Sequence, residues 1–138
     1  MKNFINITSA LVLSVLSHFC LASDEVSPMT VEGAKTVNAS EAKALFDEGV
    51  IFIDVRKDKD WDAGRIPDAV HIELKGKFNE SSLGEEVKKD EKVVFYCNGE
   101  KCLRSSKATK KAVGWGYTNV FYFRDGYPAW KAAGYATE

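Results

Sequence analysis

The sequence predicts one α/β domain built around a parallel sheet. Helical stretches alternate with strand-like apolar runs roughly every 20–25 residues, the rhythm of strands and helices in separate layers. Two of those runs, Val50-Ile51-Phe52-Ile53 and Lys92-Val93-Val94-Phe95-Tyr96, are nearly unbroken. Unbroken runs mark strands covered on both faces, as in a parallel sheet, whereas strands wetted on one face alternate with polar residues. The chain has 138 residues, enough for one ordinary domain and too few for two.

The elements follow in order. Residues 1–22 are predicted to be a cleaved signal peptide: Lys2 precedes an apolar stretch through Ile5, Leu11, Val15 and Phe19, and Cys20-Leu21-Ala22 presents small residues ahead of a cleavage before Ser23. Thr8, Ser9, Ser14, Ser17 and His18 interrupt the stretch too often for a retained membrane span. Residues 23–35 are expected to form a flexible lead and 36–138 the folded domain. Ser40 is the expected N-cap of a helix ending at Asp47, with Gly49 terminating it. The Val50–Ile53 strand delivers Asp54 and Arg56 at its carboxyl end, where open α/β sheets place their working groups. A helical turn over Lys59–Ala63 closes at Gly64, and Ile66-Pro67 breaks the chain before an extended piece over Ala69–Ile72. A helix over Ser82–Lys88, the Lys92–Tyr96 strand, a helix over Arg104–Val113, a strand over Thr118–Phe123 and a short helix over Ala129–Ala133 complete the domain.

Composition narrows the chemistry. Beyond the leader, 18 basic residues (the 19 of the whole chain less Lys2) face 20 acidic ones, so no electrostatic argument favours a nucleic-acid partner. Two cysteines remain, Cys97 and Cys102, enough for one disulfide but not for a disulfide-stapled miniprotein. Zinc is not expected, because His71 and this single cysteine pair make no convincing four-ligand set. No other metal or cofactor is expected.

The chemistry concentrates after the Lys92–Tyr96 strand. Cys97 opens a short polar loop containing Gly99, which then enters the helix at Arg104. A strand–loop–helix turn of this kind aims unpaired backbone N–H groups and a positive helix end inward, which stabilises a thiolate or a bound anion. Cys97 is therefore the expected nucleophile and Arg104 the expected planar cationic donor. Asn98, Gly99, Glu100, Lys101, Cys102, Leu103 and Ser105 supply the anion cradle. His71 bears no spacing relation to Cys97 and is expected to act as a supporting or surface group. Four residues separate the cysteines, so this is not a C-x-x-C pair, although the spacing permits a loop disulfide. Three readings of Cys102 stay open: a thiol that resolves an oxidised or persulfidated Cys97, a structural disulfide partner, or a small packing residue.

Three separated stretches resemble the rhodanese-like family. Asp54-Val55-Arg56 followed by Trp61 to Ala69 is similar to its first signature, an Asp-x-Arg pair leading to a Gly-His-Ile-Pro-Gly-Ala-like segment, with Arg65 and Asp68 replacing the histidine and second glycine. The Cys97 segment resembles its active loop. Asp125-Gly126-Tyr127-Pro128-Ala129-Trp130 through Gly134 is similar to its Gly-Gly-x-x-Ala-Trp-x-x-Ala-Gly ending. The resemblance implies a central, mainly parallel, five-stranded sheet flanked by helices and a persulfide-forming Cys97. It also implies that Asp54 and Arg56 organise the strand end, that Trp130 packs in the core, and that Asp125 takes a left-handed turn in place of glycine.

The loop departs from the family pattern. Cys97 to Arg104 counts eight residues inclusively, against six in common rhodanese sulfurtransferases and seven in related phosphatases and arsenate reductases. It more closely resembles exported rhodanese-like sequences with a second cysteine after a Cys-Asn-Gly start. The leading expectation is a sulfurtransferase that moves sulfane sulfur from thiosulfate or a related small anion through Cys97 to a thiol or other nucleophile, on a small molecule or a protein. A thiol–disulfide redox protein using Cys97 and Cys102 and a noncatalytic binding module are the alternatives. The expected compartment is the bacterial periplasm or the exterior, with no stable membrane insertion after processing.

Overall fold

The computed structural model describes residues 25–138, so the expected leader and its cleavage point lie outside the described residues. The chain order is β1 (Ala34–Thr36), α1 (Ala39–Asp47), β2 (Ile51–Asp54), α2 (Asp58–Ala63), β3 (Val70–His71), α3 (Glu80–Glu86), β4 (Lys92–Tyr96), α4 (Arg104–Gly114), β5 (Asn119–Phe123) and α5 (Gly126–Ala132). The five strands form one sheet in the order β1-β5-β4-β2-β3, and every pairing is parallel. Among the described residues no helix is long and apolar enough to cross a membrane.

The two-residue period of β4 divides the core. Val93, Phe95 and, one step further, Cys97 point into a cluster with Leu83 and Val87 below and Ala108 and Ala112 of α4. Val94 and Tyr96 point to the other face, among Ala42 and Leu45 of α1, Ile66 and Trp130 of α5. Helices thus cover both faces, which is why β4 reads as an unbroken apolar run. The same alternation sends Cys97 toward the α4 layer. From β2 the chain steps outward to β3, and from β4 it steps outward the opposite way to β5, so the loops after β2 and β4 diverge and leave a crevice at the carboxyl ends.

Several expectations are corrected. The N-cap of α1 is Asn38, not Ser40: its side chain accepts the Glu41 N–H at 2.8 Å while the Glu41 carboxylate accepts the Asn38 N–H, a reciprocal capping box. α5 starts at Gly126, three residues before the expected Ala129. Asp125 is right-handed, with φ −69°; the left-handed residue of that turn is Gly126, with φ +63°. The aspartate that does take the place of a family glycine in left-handed geometry is Asp68, φ +61°. The stretch expected to be a free lead is docked from Ser27 onward: β1 pairs with β5, the Tyr122 hydroxyl donates to the Pro28 carbonyl at 2.8 Å, and Arg124 donates to the Ser27 carbonyl.

Candidate active site

The site has two walls, one at the end of β2 and one in the loop after β4. On the first, Asp54 and Arg56 are almost wholly buried. The Arg56 guanidinium grips the Asp54 carboxylate through Nε and Nη2, with Nη2–Oδ2 at 2.6 Å, and the Arg56 backbone N–H donates to the same carboxylate. Nη2 also donates to the Gly64 carbonyl and Nη1 to Oδ1 of Asn98 at 3.2 Å, while the guanidinium lies over the Tyr127 ring. Burial opposes the Arg56 charge, but the hydrogen bond and field of Asp54 outweigh it and hold the guanidinium above its ordinary value. Burial, followed by the nearby Asp54 carboxylate, pushes the Tyr96 phenol up, so it stays neutral and its oxygen accepts the Ile66 N–H. Asp54 and Arg56 thus tie β2, the Gly64 turn and the first loop residue after Cys97 into one unit.

The second wall is the loop itself. Cys97 is fully buried, and its carbonyl accepts the Tyr127 N–H at 2.9 Å. Gly126 sits so close beneath that carbonyl that a Cβ there would collide with it and crowd the Gly99 nitrogen. Gly99, with φ +108°, reverses the chain, and its carbonyl accepts the Cys102 N–H at 3.0 Å. This return brings the Cα atoms of Cys97 and Cys102 to 6.2 Å, and the two sulfurs are joined in a disulfide. In this state Cys97 is therefore oxidised rather than a free thiol, and of the readings open for Cys102 the structure shows a disulfide partner.

A cavity of about 460 Å³ opens beside the pair. Of the expected site residues, Cys97, Asn98, Lys101, Cys102, Leu103 and Arg104 line it. The other three cradle residues do not. Gly99 makes the turn, Glu100 is directed to Arg124 (3.8 Å), and Ser105 is buried at the start of α4. Leu103, the N-cap of α4, is helical and makes no side-chain cap bond, so the amides of the first turn keep no cap on the loop side. Arg104 reaches the cavity wall with Nη1 3.6 Å from Glu73 Oε1, too long for a hydrogen bond, and that nitrogen has no other partner among the described residues.

The structure adds residues that sequence reasoning missed. Lys57, Asp60, Leu74, Lys75 and Lys107 complete the cavity, and Asp60 accepts a bond from Asn98 Nδ2 at 3.1 Å. They come from the loop and helix after β2, the loop after β3, and α4. No spacing in the sequence signals that convergence; it follows from the strand order. Gly126 was part of a recognised motif, yet its role beneath the Cys97 carbonyl needs the β5 register to see. His71, expected to be a supporting or surface group, bonds through Nε2 to the Arg56 carbonyl at 2.8 Å and stacks on Trp61. A larger cavity of about 720 Å³ lies between residues 28–33 and α4, lined by groups such as Val31, Lys110 and Val113 and by neither cysteine. Among the described residues no cluster of three metal-binding side chains occurs.

Residues 38–133 match the family described as Rhodanese-like domain. The protein HIGH ARSENIC CONTENT 1, mitochondrial, of Arabidopsis thaliana is 30% identical over 122 residues, 82% of this chain and 71% of that protein. Thiosulfate sulfurtransferase GlpE of Pseudomonas savastanoi pv. phaseolicola is 28% identical over 101 residues, 71% of this chain and 88% of that protein. Among solved structures, the human single-domain sulfurtransferase TSTD1 superposes with a TM-score of 0.60 at 25% identity, covering 72% of this chain and 96% of that one.

Proposed function

The chain belongs to the rhodanese-like domain family, and on that premise we propose that it is a sulfurtransferase whose nucleophile is Cys97. One observation carries the reading: Cys97 stands at the carboxyl end of the central strand, on a cation-lined cavity it shares with Arg104. Reduction of the disulfide by a thiol frees the Cys97 thiolate, stabilised by the uncapped first turn of α4. The anionic end of thiosulfate or a related donor is held by Arg104, with Lys57, Lys75 and Lys101 around the rim. The thiolate attacks the outer sulfur, a Cys97–sulfur bond forms, the sulfur–sulfur bond of the donor breaks, and sulfite leaves with the electron pair. A thiol or other nucleophile then removes the sulfur. No histidine base is needed for a thiolate attack, in keeping with His71 being engaged elsewhere. The loop disulfide favours export to an oxidising compartment, as the leader over residues 1–22 suggests.

Reduced protein mixed with thiosulfate is expected to release about one sulfite per Cys97, and folded Cys97→Ser none. Equal sulfite release from both would remove Cys97 from the reaction. The disulfide also favours a second reading, a thiol–disulfide exchange protein. On that reading the reduced protein reduces disulfide substrates at a useful rate and liberates no sulfite from any sulfane donor.

A further inference from the structure

We propose that Cys102 is the first nucleophile to meet the Cys97 persulfide: it attacks Cys97 Sγ, releases sulfide and closes the loop disulfide, so that each cycle consumes a dithiol reductant. The proposal rests on the Cys97 reading above and names what happens after sulfur uptake.

The loop holds Cys102 over Cys97 by bonds independent of the disulfide. The Cys102 N–H to Gly99 carbonyl bond closes the turn. On its outer side the Ser27 N–H donates to the Glu100 carbonyl at 2.7 Å, and Arg124, which binds the Ser27 carbonyl, lies 3.8 Å from the Glu100 carboxylate. The Cα separation of 6.2 Å is within the usual disulfide range of about 4.4–6.8 Å, so the thiols meet without rebuilding the backbone. An external acceptor faces the opposite situation, because Cys97 is fully buried while Cys102 is partly exposed on the cavity. A thiol tethered one turn away competes at an effective concentration that a dissolved thiol does not reach.

The step balances. The Cys102 thiolate attacks the Cys97 Sγ of Cys97–S–SH, the Cys97–Cys102 bond forms, and hydrosulfide leaves with the electron pair of the broken sulfur–sulfur bond. The two cysteine sulfurs are oxidised to the disulfide while the sulfane sulfur is reduced to sulfide. Hydrosulfide is a low-pKa leaving group, which favours this direction of cleavage. Reopening has a matching polarity. A reductant thiolate meets the accessible Cys102 sulfur, and Cys97 departs as a thiolate into the stabilising first turn of α4. The second thiol of the reductant resolves the mixed disulfide on Cys102. A dithiol–disulfide exchange reaction must therefore supply the electrons, and a sulfide-consuming reaction must follow.

The full chain carrying Cys20→Ser, so that only the loop cysteines report, is reduced with dithiothreitol, desalted without oxygen and mixed with equimolar thiosulfate. Sulfite, sulfide and intact mass are then measured. Expected are equal sulfite and sulfide and a protein two hydrogens lighter than its reduced form, with no bound sulfur. Adding Cys102→Ala, or Cys102→Ser as a second folded check, is expected to leave one sulfur on the protein for each sulfite released and to cut sulfide per sulfite by at least about tenfold until an external thiol is added. Normal sulfite with a sulfur adduct that persists on the two-cysteine protein would overturn the proposal and leave the Cys97 reading standing. Sulfide release undiminished in both Cys102 variants would also overturn it. Absence of sulfite from every form would overturn the Cys97 reading itself, and this proposal with it.

Discussion

The carboxyl ends of β2 and β4 are neighbours in the sheet, with Asp54 in register with Tyr96. At the end of β2 the chain places two opposite charges in the interior and spends their hydrogen bonds on each other, on Gly64 and on Asn98. After β4 it places Asn98, Glu100 and Lys101 in solvent and holds the loop with a disulfide and a few backbone bonds. The first end has few alternatives once folded, because any displacement strands a buried charge. The second can open when one covalent bond is reduced. Under the sulfurtransferase reading proposed above, the reacting thiol sits on the second kind of wall, steadied by the first.

The sharpest way to break this contrast is Asp54→Ala. It leaves Arg56 buried without its counter-ion, and loss of one partner of such a pair costs about 3–5 kcal/mol. Urea unfolding checks this, and a loss below about 1 kcal/mol would mean that the β2 end is as adaptable as the loop. Arg104→Ala probes the other wall. It is expected to slow sulfite release by about 100-fold, the scale for removing one donor from a developing anion. Its urea midpoint should move little, because the Glu73 contact it loses is a long 3.6 Å. A stability loss matching the rate loss would make Arg104 a structural residue.

The difference between the walls also explains what the sequence revealed. β4 was legible to the residue, Lys92–Tyr96, because burial on both faces leaves an unbroken apolar run. β1 is not legible as a strand: three edge residues, Ala34–Thr36, show only a half-buried pattern, and their strand character comes from pairing with β5. At α1, Ser40 has the right chemistry for a cap, but Asn38 has Glu41 three residues on, and the reciprocal bonds fix the start there. Cys97, Arg104 and the Asp54–Arg56 pair were legible because each sits at a strand end or a helix start. Glu73, Asp60, Lys57 and Lys75 were not, since only the order β4-β2-β3 brings those loops together. Glu100 shows the limit of reading a loop as a uniform cradle, for its docking to Arg124 depends on a residue one strand away.

Gly126→Ala tests the joint between β5 and the loop. The residue needs φ +63° and leaves no room for a Cβ between itself and the Cys97 backbone. A left-handed non-glycine residue with a backbone collision is expected to cost about 2 kcal/mol. Because the displaced group is the Cys97 carbonyl, sulfite release should fall along with the urea midpoint. A variant with full activity would show that the loop is positioned by the disulfide and α4 without support from below.

The mildest and most diagnostic change is Asn98→Ala, because Asn98 is the one loop side chain shown bonded to the Arg56 platform. Its Oδ1 accepts from Arg56 Nη1 at 3.2 Å and its Nδ2 donates to Asp60 at 3.1 Å. The side chain is exposed, so water can replace both bonds, and the stability loss should be about 0.5–1 kcal/mol. If the rigid wall orients the loop through this bridge, the reduced protein should lose about threefold to tenfold in sulfite release, equivalent to about 0.7–1.4 kcal/mol. The rate at which the Cys97–Cys102 bond re-forms should change with it, since the same bridge sets where the loop begins. Stopped-flow thiosulfate reaction and timed alkylation of the reduced thiols measure the two rates separately. Wild-type values for both would mean that the Gly99 turn and the Ser27–Glu100 bond suffice to place the loop, and that the platform stabilises the fold without steering the chemistry.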